Sequence, residues 1–309
     1  MFTALETTDF DELAAAQEGW EIHHRPVRAK RLEAKLWLGR VAGIRVDLER
    51  WNTPLELTGT SPEQGLSFVL PLDHGGSYSS EGLDVTADRI DVFGSGCAIH
   101  ALTKAQTSLI SCSLSTQALD DRIASPMTAL LAEHSTGHRV IRSSRQATDG
   151  LRRWWVRLAD LCRKGGIPAE AYHRMFDETL LLAARGLSTG EEDRDTRSRR
   201  RYLLARRARD FMLDRQSNPP TVGEICAFLN TTERTLHYAF GATYGVSPKR
   251  FLKARRLFAA RQALKSAVQG ESVSDVAMRL GFWDLGYFAG DYKAMFGELP
   301  SATLRSRYP

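Results

Sequence analysis

An α+β chain is what the sequence predicts, with a β-rich amino-terminal half, a helical hairpin, and an all-α carboxy-terminal third holding two tandem helix-turn-helix modules. Three observations predict it. Short segments between residues 21 and 114 alternate apolar with polar side chains. Apolar residues recur at helical spacing between residues 143 and 187, and between residues 221 and 300 one pattern is written twice. With 309 residues, the chain is long enough to bury two cores.

Residues 1–18 are acidic, then Ala-rich, and read as a short helix or a loose end. Eight strand-like segments follow, at 34–39, 43–49, 54–58, 65–72, 82–86, 89–93, 97–102 and 107–114, bounded by Gly, Asn and Pro as in a sandwich or barrel. A first helix is expected over 143–164, carrying Leu151, Trp154, Trp155, Leu158 and Leu161, and it stops at Gly165-Gly166. Pro168 opens a second, through about Leu187, with Tyr172, Met175, Phe176, Leu180 and Ala183 at helical spacing. The two form a hairpin whose stripe is either intrachain core or a dimer interface. Residues 188–200 are almost wholly polar and read as a linker. A basic helix is expected from Arg199, turning Leu203, Phe211 and Leu213 inward and ending before Asn218-Pro219-Pro220. The expected domains are 1–125, 126–187, 188–200 and 201–309.

The repeat starts at Thr221 and again at Ser272, and an internal repeat governs the reading of what surrounds it. Thr221 with Glu224, and Ser272 with Asp275, have the spacing of a capping box. Val222, Ile225 and Leu229 correspond to Val273, Val276 and Leu280, and Asn230 and Gly281 occupy the stop positions. Each second helix repeats an aromatic or leucine every four residues: Leu236, Phe240 and Tyr244, then Phe288, Tyr292 and Phe296. That face is fixed to a core. The opposite face of the first copy carries Arg234, His237, Tyr238 and Gly241, with Thr232 and Thr235 at its start, a set able to reach base edges and phosphates in a major groove. Between the copies runs a helix bearing Lys249, Arg250, Lys253, Arg255, Arg256, Arg261 and Lys265, expected to contact phosphates or to hold the two reading helices apart.

With Gly245-Val-Ser-Pro248 closing the first copy and Phe296-Gly-Glu-Leu-Pro300 the second, the array resembles the DNA-binding domain of AraC/XylS-type transcription regulators. The stretch from Phe288 to Ser301 is similar, more narrowly, to the subgroup containing the ethanolamine-operon regulators, a likeness not extended to any ligand. The resemblance covers about the last hundred residues. It implies duplex DNA as partner, RNA polymerase as a second, and a cupin-like β-barrel ahead of the domain that binds a small-molecule effector, with activation as the usual outcome. Carried over residue by residue, it places base-facing positions at Arg234, His237 and Tyr238, and at Gly286, Ala289 and Gly290 followed by Lys293. Glycine and alanine offer no side-chain hydrogen bond to a base. Either the Gly286/Gly290 strip lets backbone approach the duplex while Trp283, Tyr287 and Lys293 make contacts, or it packs on another protein surface.

Charge agrees with the division. Residues 1–190 hold 21 Lys and Arg against 24 Asp and Glu, whereas residues 191–309 hold 21 against 13. The positive third is the one expected to meet phosphate. No long apolar span suggests a membrane partner, and the acidic opening lacks the form of a secretory leader, so a cytoplasmic protein is expected. Cys97, Cys112, Cys162 and Cys226 are dispersed, without the spacing of a zinc site or the activated thiol that alkyl-transfer repair requires. The rival class is a cupin-type metal enzyme with a helical tail, whose candidate ligands are His23, His24, His74 and His100. No His-x-His occurs, so neither metal nor other cofactor is expected, nor catalytic residues. The effector site is not legible; Trp37, Trp51, Phe68, Tyr78 and Phe93 are candidates for its wall or for core.

Overall fold

A computed structural model describes residues 2–17, 19–41, 43–120, 126–215, 220–268 and 270–306. The chain divides into two compact units. The first comprises Met1–His24, Glu33–Asn52 and Glu56–Asp195; the second comprises Arg25–Leu32, Thr53–Leu55 and Thr196–Pro309.

In chain order the first unit starts with β1 (Phe2–Thr7), α1 (Phe10–Ala16), β2 (Glu21–Pro26), β3 (Ala34–Val41), β4 (Ile44–Trp51) and β5 (Leu55–Thr60). Next come β6 (Gly65–Pro71), β7 (Tyr78–Ser80), β8 (Leu83–Val85), β9 (Arg89–Phe93), β10 (Ala98–Thr103) and β11 (Thr107–Ser115). It closes with α2 (Thr116–Asp120), α3 (Pro126–Glu133), β12 (His138–Arg142), α4 (Arg145–Lys164), α5 (Ala169–Ser188) and β13 (Glu191–Glu192). The strands form two sheets, ordered β1-β3-β4-β11-β6-β9-β12-β13 and β2-β5-β10-β7-β8. Because side chains alternate across a strand, the register decides which residues share a face. Asp47 lies opposite Ser111, Ser111 opposite Val69, and Val69 opposite Asp91, so one row crosses four strands. On the other face Val46, Phe68, Leu70, Ile90, Val92, Ile110 and Cys112 share a core with Leu151, Trp155 and Leu158 of α4 and Phe176, Leu180 and Ala183 of α5. The hairpin stripe is thus core of the β-rich unit. Close approach of α5 needs Gly186, where a Cβ would stand 2.8 Å from Ile90 Cδ1.

The second unit holds α6 (Thr196–Leu213), α7 (Val222–Leu229), α8 (Glu233–Tyr244), α9 (Pro248–Lys265), α10 (Val273–Arg279), α11 (Leu285–Phe296) and α12 (Pro300–Arg305). Phe240, Tyr244 and Phe251 cluster in the first module, with ring centroids 4.6 to 5.4 Å apart. Leu257, Ala260, Leu264, Val276, Phe288, Tyr292 and Met295 form the core of the second.

Three local expectations differ from the structure. Residues 2–7 are a strand paired with β3, as in Leu5 opposite Leu36, although their own pattern alternates poorly. The polar run after residue 188 is ordered: β13 pairs with β12, and the Asp193 carboxylate, only 8% exposed, meets Arg89 at 2.7 Å. An ion pair there replaces the apolar burial that the run lacks. The basic helix begins at Thr196 and buries Tyr202, Ala205, Ala208 and Met212, while Leu203 is 45% exposed. Leucine on so cationic a helix proved a poor marker of its inner face, which two alanines, a tyrosine and a methionine occupy. Of the breaker Asn218-Pro219-Pro220, residues 218 and 219 lie outside the described residues; α6 ends earlier, at Leu213.

Candidate nucleic-acid interface

Each module starts with a reciprocal cap. The Thr221 N–H donates to Glu224 Oε2 at 2.7 Å while Thr221 Oγ1 accepts from the Glu224 N–H at 3.2 Å. In the second module the Ser272 N–H donates to Asp275 Oδ2 at 2.9 Å and Ser272 Oγ accepts from the Asp275 N–H at 3.2 Å. The shorter aspartate therefore closes the box as well as glutamate does. These bonds hold both carboxyls below the usual carboxylate range. Asn230 and Gly281 adopt left-handed backbone, with φ of 49° and 73°. Gly281 is required twice over, because a Cβ there would collide with the Arg256 guanidinium.

Past those turns, each reading helix has its own N-cap. Thr232 Oγ1 accepts from the Thr235 N–H at 3.2 Å, and Asp284 Oδ1 accepts from the Tyr287 N–H at 3.0 Å. Leu236, Phe240 and Tyr244 of α8 and Phe288, Tyr292 and Met295 of α11 are buried, so the rotation of both helices is fixed. On α8 this leaves Arg234, Thr235, His237 and Tyr238 exposed along one side, with Thr232 exposed at its start. On α11 it leaves Gly286, Tyr287, Gly290 and Lys293 exposed, with Trp283 just ahead of the helix; Ala289 is half-buried.

Exposure of Trp283 at 80% and Tyr287 at 79% is far beyond what such rings normally show in a settled fold. Beyond its chain neighbours and the nearby backbone of its own helix, no described atom lies within 4 Å of a Cβ placed on Gly290, and only the Asp284 carboxylate meets one on Gly286, at 3.4 Å. Nothing within the unit demands glycine at either position.

The cations of α9 split into two sets. Lys249, Arg250 and Lys253 are exposed. Arg255, Arg256 and Arg261 are held inward, which corrects their reading as part of the exposed basic surface. Their guanidinium groups lie 5.4, 4.8 and 4.6 Å from the ring centroids of Phe251, Phe282 and Phe296. Arg256 also donates to the Leu280 carbonyl, and Arg261 pairs with Glu298 at 3.2 Å. Desolvated guanidinium on an aromatic face is a packing element. Lys253 has a different partner: its ammonium meets Asp291 at 2.6 Å, cancelling the one acidic charge of α11. Thr221, Lys249, Lys253, Trp283, Tyr287 and Asp291 border a cleft of about 960 Å³ within this unit.

One participant was missed. Arg201, on α6, donates to the Tyr238 hydroxyl at 3.2 Å and holds its guanidinium 5.8 Å from that ring's centroid. A second nitrogen donates to Ser198 at 2.9 Å. No spacing within the modules signals this, since the contact joins residues 37 apart.

Elsewhere the chemistry is restrained. Among the described residues no three His, Cys, Asp or Glu side chains could hold a metal ion together. Burial pushes all four thiols up, away from the thiolate that nucleophilic chemistry needs. Among the described residues no helix is long and apolar enough to cross a membrane.

Residues 225–306 match the family model described as "Helix-turn-helix domain". The probable thc operon regulatory protein of Rhodococcus erythropolis is 35% identical over 104 residues, 33% of this chain and 31% of its own length. The XylDLEGF operon transcriptional activator of Pseudomonas putida is 38% identical over 73 residues, 23% of each chain. The chain thus spans about a third or less of these curated relatives. The crystal structure of a probable AraC family transcriptional regulator from Rhodopseudomonas palustris is 33% identical, covers 35% of this chain and 99% of its own, and has a TM-score of 0.33. Residues 225–306 thus carry a helix-turn-helix domain, and over this last third the chain is similar to AraC/XylS-type transcription regulators.

Proposed function

We propose that the chain is a sequence-specific DNA-binding transcription regulator, most simply an activator, controlled by a small molecule held in its β-rich unit. The observation that carries this is the pair of capped reading helices, each with a buried aromatic face and an exposed opposite face. In this reading Arg234, His237 and Tyr238 read base edges, with Thr232 and Thr235 at the helix start reaching phosphate. Trp283, Tyr287 and Lys293, beside Gly286, form the second contact region. Lys249 and Arg250 supply phosphate contacts, and Lys253 does so to the extent that Asp291 releases it. The β-rich part to residue 125 senses the effector, and residues 126–187 serve dimerisation through what α4 and α5 leave outside, where Val156 and Leu181 are 41% and 48% exposed. RNA polymerase is the further partner of an activator.

Control is a linkage: an effector shifts the protein between two states only by its differential affinity for them. The test is titration with duplexes from the promoter adjoining the protein's own coding region, across a salt series, with unrelated duplex as control. Saturable binding to a discrete sequence, weakening steeply with salt, is the expected result. Binding that ignores salt, or fails at low ionic strength, refutes the reading.

A further inference from the structure

The β-rich unit holds a partly open cavity of about 40 Å³ beside the row that joins Asp47, Ser111, Val69 and Asp91. Most of its wall is apolar, including Trp20, Leu57, Phe93 and Ile99, and the polar groups at it are Gln17, Glu49, Tyr78, Asp91 and Ser111. Two of the three carboxylates in this interior are already answered. Asp47 takes a two-pronged contact from Arg45 at 2.7 and 3.0 Å. Asp91 accepts from the Tyr78 hydroxyl at 2.8 Å and lies 2.6 Å from His138 Nε2.

Glu49 is the exception. It is 7% exposed, makes no ion pair among the described residues, and is bonded by the Gln17 side chain. Burial, with the Asp47 charge added, pushes it up to about 8. At neutral pH this carboxyl therefore holds a proton where a cation could sit. Gln17 is itself 3% exposed, and its Oε1 is buried without a hydrogen-bond partner. A buried acceptor without a donor, beside an acid without an ion-pair partner, is costly in an empty site and useful in an occupied one.

We propose that this cavity binds the effector and that the effector is a small organic cation: an ammonium or amidinium group on a short apolar body. The proposal rests on the reading of the chain as a ligand-controlled regulator. An ammonium has three N–H donors, and Glu49, Gln17 Oε1 and the Ser111 hydroxyl are acceptors for them. The apolar body lies against Leu57 and Ile99, and the faces of Trp20 and Phe93 favour positive charge. An anion would meet the acidic side chains Asp47, Glu49 and Asp91, and a neutral polyol would leave Glu49 in its protonated form and draw nothing from its ionisation. At about 10–15 Å³ for each water-sized site, the volume suits an occupant of about three to four non-hydrogen atoms. Charged groups facing Glu49 are Asp47 and Arg45 on its own strand and Asp91 across the sheet, while the opposite sheet presents Leu57, Ile99 and Ala101. Cation binding therefore expels the Glu49 proton, and affinity rises with pH until about 8.

Calorimetry and thermal melting of the full chain with n-propylammonium, 1-propanol and propanoate, at matched ionic strength, test this. The amine should bind saturably, raise the melting temperature, bind severalfold more tightly at pH 8 than at pH 7, and release close to one proton at pH 7 in buffers of different ionisation heat. The alcohol and the acid should do neither. Glu49→Gln should weaken the amine at least tenfold, and Gln17→Met, which keeps the carboxyl, severalfold; the second variant decides if the first does not fold. Equal stabilisation by propanol or propanoate, or full amine binding by the folded variants, overturns the proposal. So does the absence of any amine effect in protein that still binds duplex in a salt-dependent way, and that outcome leaves the regulator reading intact. Amine binding by protein that ignores DNA would support the cavity's cation chemistry while removing its role as effector.

Discussion

Arg234 and Lys293 are both exposed, one near the start of its reading helix and the other near the end of its own, and their neighbours differ. Arg234 shares its face with His237 and Tyr238, which can hydrogen-bond, whereas Lys293 follows two glycines. Arg234→Ala is expected to relax preference at one or two base pairs, at about 1–3 kcal/mol, and Lys293→Ala to weaken all sequences alike and reduce the salt slope by about 1. Binding to a panel of singly substituted duplexes at fixed salt distinguishes the two outcomes. The outward residues were legible in the sequence because helical period alone fixes them once the aromatic face is known. Arg201 was not, because its contact with Tyr238 depends on how α6 lies against α8. Two of the buried groups that shape the pH response act in opposite senses, and Asp47, also raised by burial, acts in the sense of Glu49. His24, lacking a hydrogen-bond partner at either ring nitrogen, is lowered from 6.5 to about 3 by burial, so its neutral form favours folding and that contribution is lost as pH falls below about 6.5. Glu49 is raised from 4.5 to about 8, so its contribution is present at low pH and is lost as pH rises through that window. The two slopes oppose each other between pH 4.5 and 6.5. Urea unfolding should therefore show a steeper decline towards pH 8 than between pH 4.5 and 6.5, with Glu49 contributing at most about 1.4 kcal/mol per pH unit. Glu49→Gln should flatten the alkaline decline.

At the level of helices, caps and ion pairs divide the labour between fold and surface. Thr221→Ala removes both the hydroxyl acceptor and the reciprocal geometry with Glu224, and should cost the helical unit about 1 kcal/mol, read as a lower urea midpoint with an unchanged slope. The Lys253–Asp291 pair joins α9 to α11 with both side chains partly exposed, so its contribution to stability is small. Its effect on charge is larger. Asp291→Ala frees the lysine, and non-specific duplex affinity should rise with a salt slope steeper by about 1. Sequence spacing located these helices and their caps because hydrogen-bonding side chains at fixed offsets leave a local signature. It could not separate the exposed Lys249 and Arg250 from the packed Arg255, Arg256 and Arg261, since the same side chain serves as surface charge or as a lid on an aromatic ring.

Across the whole molecule, the helical third was more legible than the β-rich part. A duplicated pattern constrains itself, because each copy checks the other. Strands give weaker local signals: β1 is recognisable only through its pairing with β3, and the short β13 only through β12 and the Asp193 ion pair. The hairpin α4–α5 shows the same limit, since its apolar stripe was visible while its partner, the outer face of the larger sheet, was not. The outer remnant gives a test of assembly: Leu181→Glu should leave the melting temperature within a few degrees and, if this face joins two copies, shift sedimentation from dimer to monomer. The inequality of α8 and α11 has a last consequence. A pair of identical readers related by a two-fold axis cannot tell upstream from downstream, but one chain whose first reader is hydrogen-bonding and whose second is glycine and aromatic ring imposes a heading on the DNA. Inverting a single such operator in front of its gene, at unchanged distance, should silence the response although occupancy stays the same.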